Sequence, residues 1–116
     1  MGKELFGTDG IRGIPGEYPL DDATLERVGL ALGKHLREQT AHPKVLIGRD
    51  TRESGPHIAE CIARGLASAG SEPVSAGVLT TPGVAFLVER DGFSAGVVIS
   101  ASHNPYHDNG VKLISS

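Results

Sequence analysis

The stretch Lys44–Gly70, KVLIGRDTRESGPHIAECIARGLASAG, decides how the rest of the chain is read. It opens on Val45-Leu46-Ile47, a short branched apolar run that fits a buried strand ending at Gly48. A polar segment follows, and then Ile58, Cys61, Ile62 and Leu66 recur at three- and four-residue steps, the inner face of a helix. Ser54 stands where a side-chain oxygen caps a helix N-terminus, and Gly70 where a helix stops.

The same alternation extends in both directions. Upstream, acidic residues suit a helix N-terminus, and Leu25, Val28, Leu32 and Leu36 keep helical spacing, which predicts a helix from Asp22 to Glu38. Downstream, EPVSAGVLT (72–80) reads as a second strand bracketed by Pro73 and Pro82. Val84, Leu87 and Val88 then form the inner face of a short helix, and SAGVVIS (94–100) is a third strand. Strands alternating with helices imply an α/β fold, a mainly parallel sheet covered on both faces. In such sheets ligands bind beyond the strand C-termini, where both GRDTRESG (48–55) and SASHNP (100–105) fall.

The bulk composition narrows the function. A chain of 116 residues, 39% hydrophobic and 22% charged, fits one globular core. A net charge of -3 supplies no field for attracting nucleic acid, and basic residues form no dense run. The single cysteine, Cys61, permits no internal disulfide and sits in a helical apolar pattern as a small buried side chain. No apolar stretch approaches signal-peptide or membrane-span length, so a cytoplasmic location without membrane contact is expected. His35, His42 and His57 match no metal-ligand spacing and read as surface or cap residues.

The densest chemistry lies in AGVVISASHNPYHDNGVKLIS (95–115), where a buried strand empties into polar residues. Ser102 is the candidate nucleophile, with His103 beside it and Lys112 ten residues on. A serine hydroxyl needs proton removal or delivery, charge neutralisation or a metal, and cationic side chains supply the first two. Asn104-Pro105 and Asp108-Asn109-Gly110 are turn formers able to fold the loop back and return Lys112 towards Ser102. The plainer alternative is a polar loop bonding its own backbone. A lipase-type elbow fails, because neither glycine of G-x-S-x-G flanks Ser102.

Two other segments add cations. FGTDGIRG (6–13) sets Arg12 between glycines, a planar fork suited to phosphate. GRDTRESG sets Arg49 and Arg52 around Asp50, and the favoured reading is an ion-pair cluster that pins the loop rather than a substrate contact.

Together, FGTDGIRG, GRDTRESG and ISASHNPYHDNGVKLIS resemble the α-D-phosphohexomutase superfamily, and the first and third look most like its phosphoglucosamine mutase branch. The resemblance implies a three-layer α/β/α domain with a mixed, mainly parallel sheet. It also implies interconversion of glucosamine 6-phosphate and glucosamine 1-phosphate through a phosphoserine and a bisphosphate. Ser102 would carry the phosphate, His103 would neighbour it, and Arg12 and Lys112 would move protons or stabilise charge. The expected cofactor is Mg2+, with one ligand from the Ser102 phosphate and the others from aspartates of a second domain. Family members have four domains, so the chain is expected to be most of the first, to lack the metal-binding, sugar-binding and distal-phosphate domains, and to turn over phosphosugar negligibly alone. His107 departs from the family's usual loop residue, which bears on how the phosphate is shielded. A phosphomannomutase or phosphoglucomutase domain, or a non-catalytic interaction module, are the competing readings. A sheet lacking its last helix would expose an apolar face and favour self-association.

Overall fold

The computed structural model describes residues 10–101 and 108–115. The elements are β1 (Ile11–Gly13), α1 (Asp22–Arg37), β2 (Lys44–Arg49), α2 (Gly55–Ser68), β3 (Glu72–Val78), α3 (Thr81–Asp91), β4 (Ala95–Ile99) and β5 (Asn109–Ser115). The strands form a five-stranded sheet in the order β1-β5-β4-β2-β3. β4, β2 and β3 pair in parallel, while β5 runs antiparallel to both β4 and β1. Only β5 is therefore reversed, and the sheet is mixed and mainly parallel.

Strand alternation divides the core between the two faces of the sheet. Val45, Ile47, Val97, Ile99 and Val111 point to one side, where α1 and α2 cover them with Leu25, Leu36, Ile58, Cys61, Ile62 and Leu66. Leu46 and Val98 point to the other side and meet Val84 and Val88 of α3. Two helices on one face and one on the other make the three layers. Among the described residues, no helix is long and apolar enough to cross a membrane.

The helix ends follow local chemistry. Asp21 caps α1, its carboxylate accepting from the Thr24 amide at 3.1 Å, and Lys34, His35 and Arg37 complement the negative end of the helix dipole. Thr80 caps α3 by accepting from the Gly83 amide at 3.0 Å, so β3 stops at Val78 rather than continuing to Thr80. Gly92, at φ 73°, closes α3 in the left-handed conformation.

Two further expectations are corrected, and one strand is added. Ser54 precedes α2 but makes no capping bond; its hydroxyl is taken up by a distant amide instead. Asp108-Asn109-Gly110 is not a turn throughout, because β5 begins at Asn109. The segment around Arg12 contains a strand, β1, with Ile11 opposite Val111 and Arg12 opposite Gly110. A three-residue strand carries too little periodicity to be read alone; pairing with β5 is what defines it.

Candidate functional site

The carboxyl ends of β1, β2 and β4 and the amino end of β5 meet at one edge of the sheet. Register establishes this: Arg49 pairs with Ile99, Ile99 with Val111, and Gly13 with Asn109. The segment 102–107 joins Ala101 to Asp108 at this edge. Ser102 and His103 lie outside the described residues, so their assignment rests on the sequence, whereas the frame that holds the segment's two ends is described.

Arg12 and Lys112 fall on the same face of that frame. Ile11 and Val111 belong to the core under α1 and α2, so the alternate positions Arg12 and Lys112 face the α3 side, and both are exposed. Arg12 stands opposite Gly110, two residues from Lys112, which makes the two cations diagonal cross-strand neighbours roughly 7–8 Å apart at the backbone. Gly110 makes room for this arrangement. A Cβ there would lie 3.0 Å from Cγ of Arg12 and 2.9 Å from the carbonyl oxygens of Ile11 and Ser100.

The GRDTRESG segment supports the site from behind. Arg52, 8% exposed, donates from its backbone amide to Asp50 Oδ1 at 3.1 Å and from Nε to Oδ2 at 2.9 Å. Its Nη1 reaches across to the Asp108 carbonyl at 3.3 Å. Asn109, fully buried, donates from Nδ2 to Ser54 Oγ at 2.8 Å and accepts the Gly110 amide at Oδ1 at 2.9 Å. On the near side of the segment, the Ser100 amide donates to the Gly110 carbonyl and the Asp50 amide to the Ile99 carbonyl. Residues on either side of 102–107 are thus tied into the sheet or to the β2–α2 loop. The expected pinning by an Arg-Asp-Arg cluster is realised by Arg52 and Asp50, while Arg49 lays its side chain against Gly55.

Sequence reasoning took Asn109 only as a turn former and missed its buried bracing role. The available signal was the position itself: an amide directly before Gly110 at the start of an apolar strand has to be satisfied once buried.

Burial alone would raise the Asp50 carboxyl, but the Arg52 amide and guanidinium and the Ser100 hydroxyl outweigh it and hold Asp50 below the usual carboxylate value. In the unfolded chain Asp50 takes up its proton near pH 4, so below that range the unfolded state binds more protons and stability falls until the folded-state value is passed. Arg52→Met is expected to flatten this acid limb in a series of melting temperatures across pH 6 to about pH 2. An acid limb of unchanged slope would show that the Arg52–Asp50 pair contributes nothing to it.

The described residues do not build a magnesium site. Mg2+ takes an octahedron of hard oxygen ligands, and the Asp50 carboxylate at this edge is already committed to Arg52. Elsewhere, Asp22, His57 and Cys61 bring donor atoms within 4.8 Å of one another, a nitrogen and sulfur set foreign to magnesium.

Residues 3–116 match the family described as phosphoglucomutase/phosphomannomutase, alpha/beta/alpha domain I. The chain is 60% identical over 113 residues to phosphoglucosamine mutase of Solibacter usitatus, covering 97% of this chain and 25% of that protein. It is 57% identical over 114 residues to phosphoglucosamine mutase of Koribacter versatilis, again covering 25% of the relative. A crystal structure of a phosphoglucomutase/phosphomannomutase family protein from Burkholderia thailandensis superposes with a TM-score of 0.79 at 30% identity, over 97% of this chain and 26% of that one. The chain thus spans about a quarter of the length of these relatives.

Proposed function

We propose, from the premise that this chain belongs to the phosphoglucomutase/phosphomannomutase family as its domain I, that it carries the phosphate-bearing serine of an enzyme interconverting glucosamine 6-phosphate and glucosamine 1-phosphate. The supporting observation is the β1–β5 register, which gathers Arg12 and Lys112 on one sheet face beside the strand end that leads to Ser102. A phosphoserine carries a charge of roughly -1.5 to -2, and cationic donors aimed at it favour both its formation and its transfer. The names of the relatives support glucosamine over glucose or mannose phosphates.

In this reading the Ser102 oxygen and the sugar hydroxyl exchange one phosphoryl group. In the forward half-reaction the phosphoserine P–O bond breaks, a sugar oxygen takes the phosphorus and releases its proton, and the serine oxygen recovers a proton. Arg12 offers a fixed fork of donors to the transferring oxygens, and Lys112 offers an ammonium that both neutralises charge and delivers a proton. His103 neighbours the phosphate. Mg2+ would supply charge neutralisation at the phosphoryl oxygens; in this chain the Ser102 phosphate would be the one group to hold it. The isolated chain accordingly has negligible mutase activity.

The test grafts residues 3–116 in place of the matching quarter of the 60%-identical relative. The graft is expected to take up one phosphate from glucosamine 1,6-bisphosphate by intact mass, to lose that uptake with Ser102→Ala, and to prefer glucosamine 6-phosphate over the glucose and mannose analogues in kcat/KM. The 116-residue chain alone is expected to show no turnover. Phosphate uptake surviving Ser102→Ala, or a preference for another hexose, would overturn the assignment.

A further inference from the structure

The face of the sheet away from Arg12 and Lys112 carries a second cluster. α1 begins at Asp22, and α2 presents His57 and Cys61 one turn apart on the side facing it. His57 Nε2 lies 2.8 Å from Asp22 Oδ1 and 3.6 Å from Cys61 Sγ. Both contacts use the same ring nitrogen. A proton relay from carboxylate through imidazole to thiol uses opposite nitrogens, so this is not a nucleophile triad. What the geometry provides is three unlike donor atoms converging on one point, all within 4.8 Å of one another.

We propose that Asp22, His57 and Cys61 form a binding site for a borderline-soft divalent cation of the zinc type, bridging α1 and α2. Zinc bonds of about 2.3 Å to sulfur and about 2.0 Å to nitrogen in a tetrahedron set the two donors roughly 3.5 Å apart. The His57–Cys61 separation already meets that value. Asp22 then withdraws slightly to admit the ion, which it can do as a side chain 57% exposed. The fourth position is left to water.

The surroundings fit the assignment. Glu60 Oε1 lies 4.0 Å from His57 Nδ1, beyond hydrogen-bond reach, and a rotation of this exposed side chain would bring it to the carboxylate position that a metal-bound histidine uses. Besides the ligands, the charged groups around the cluster are Glu26, Glu60 and Arg64. Arg64 approaches Cys61 Sγ at 3.4 Å but is bound to both glutamates, at 3.0 Å and 3.4 Å. The carboxylates of Asp22, Glu26 and Glu60 outnumber the single Arg64 cation, and a bound cation displaces the Cys61 thiol proton. Entry is from the side of His57 and Asp22, both more than half exposed, so the buried sulfur needs no path of its own. The spacing missed in sequence is the i,i+4 pair His57–Cys61, completed by a residue from a different helix. The site stands apart from the proposed phosphoryl chemistry, and its function is to staple α1 to α2.

Titration of the metal-free 116-residue chain with Co2+ under reducing conditions tests this. One equivalent is expected to produce tetrahedral d–d bands and a thiolate-to-cobalt charge-transfer band, both erased when Zn2+ is added. Asp22→Asn and His57→Ala, at exposed positions that leave the core intact, are expected to weaken cobalt binding more than about tenfold, and Glu60→Gln by about tenfold with the band retained. Zn2+ should raise the melting temperature of the unmodified chain and a chelator should reverse the rise. Absence of the thiolate band at saturating Co2+, or binding unaltered in His57→Ala, overturns the site.

Discussion

Gly65→Ala is expected to lower the melting temperature of this domain by roughly 10–20 °C, corresponding to about 3 kcal/mol. Gly65 sits where α1 and α2 cross with their backbones in contact. A Cβ there would run into the Glu26 carbonyl oxygen and would lie 2.6 Å from the Leu30 amide nitrogen and 3.0 Å from the Gly29 carbonyl carbon. Gly29 makes the reciprocal contact, its own Cβ position falling against the Ile62 carbonyl and 3.1 Å from the Gly65 Cα. The obstacles are main-chain atoms of a helix, which no rotamer change can move aside, so the helices have to separate and part of the core beneath them opens. Alanine gains about 1 kcal/mol over glycine in helix propensity, which offsets only part of the penalty. For a domain whose total stability is of the order of 5–15 kcal/mol, the loss is a large share. Ser68→Ala, an exposed change in the same helix, should shift stability by no more than about 0.5 kcal/mol. Thermal melts of the two variants side by side decide the matter, and equal melting temperatures would contradict backbone contact between the helices.

Removal of either cation at the sheet edge is the second large effect. In the grafted enzyme, Arg12→Ala and Lys112→Ala are each expected to lower kcat by about 10²–10³-fold, the loss that follows when one donor to developing charge is deleted. The change should appear in kcat more than in KM, since the proposed contacts strengthen as phosphoryl transfer proceeds. Both side chains are exposed, so the melting temperature of each variant should remain close to that of the parent. Because the two residues are diagonal neighbours and are proposed to face one phosphoryl group, the double variant should lose less than the product of the single losses. A kcat unchanged by Arg12→Ala would detach β1 from the chemistry and leave it only as an edge strand.

Much of this molecule was legible from local pattern. Val45-Leu46-Ile47 and Val97-Val98-Ile99 are buried on both faces, which is why they read as unbroken apolar runs. The helical spacing of Leu25, Val28 and Leu36 and of Ile58, Cys61, Ile62 and Leu66 identified the inner faces of α1 and α2, all of them buried. The three motifs also pointed to the family, to which the match over residues 3–116 assigns the chain. The failures have one character. Ser54 has the residue type and position of a cap, yet its hydroxyl receives the Asn109 amide because α2 starts beside the end of β5. His57 is exposed, as read, but its approach to Asp22 was invisible to spacing because that residue belongs to another helix.

Local pattern therefore identified the helices, the strands from β2 to β4, most residues facing the core and the family, because periodicity, caps and motifs act within a few residues along the chain. Folding in three dimensions settled that β5 runs against the other strands, that β1 exists, that Arg12 and Lys112 share one face, and that Arg52 and Asn109 brace the far end of the segment containing Ser102. These depend on hydrogen-bond register and backbone approach between segments far apart in sequence, where side-chain identity makes a contact possible and the pairing of strands determines which contact forms.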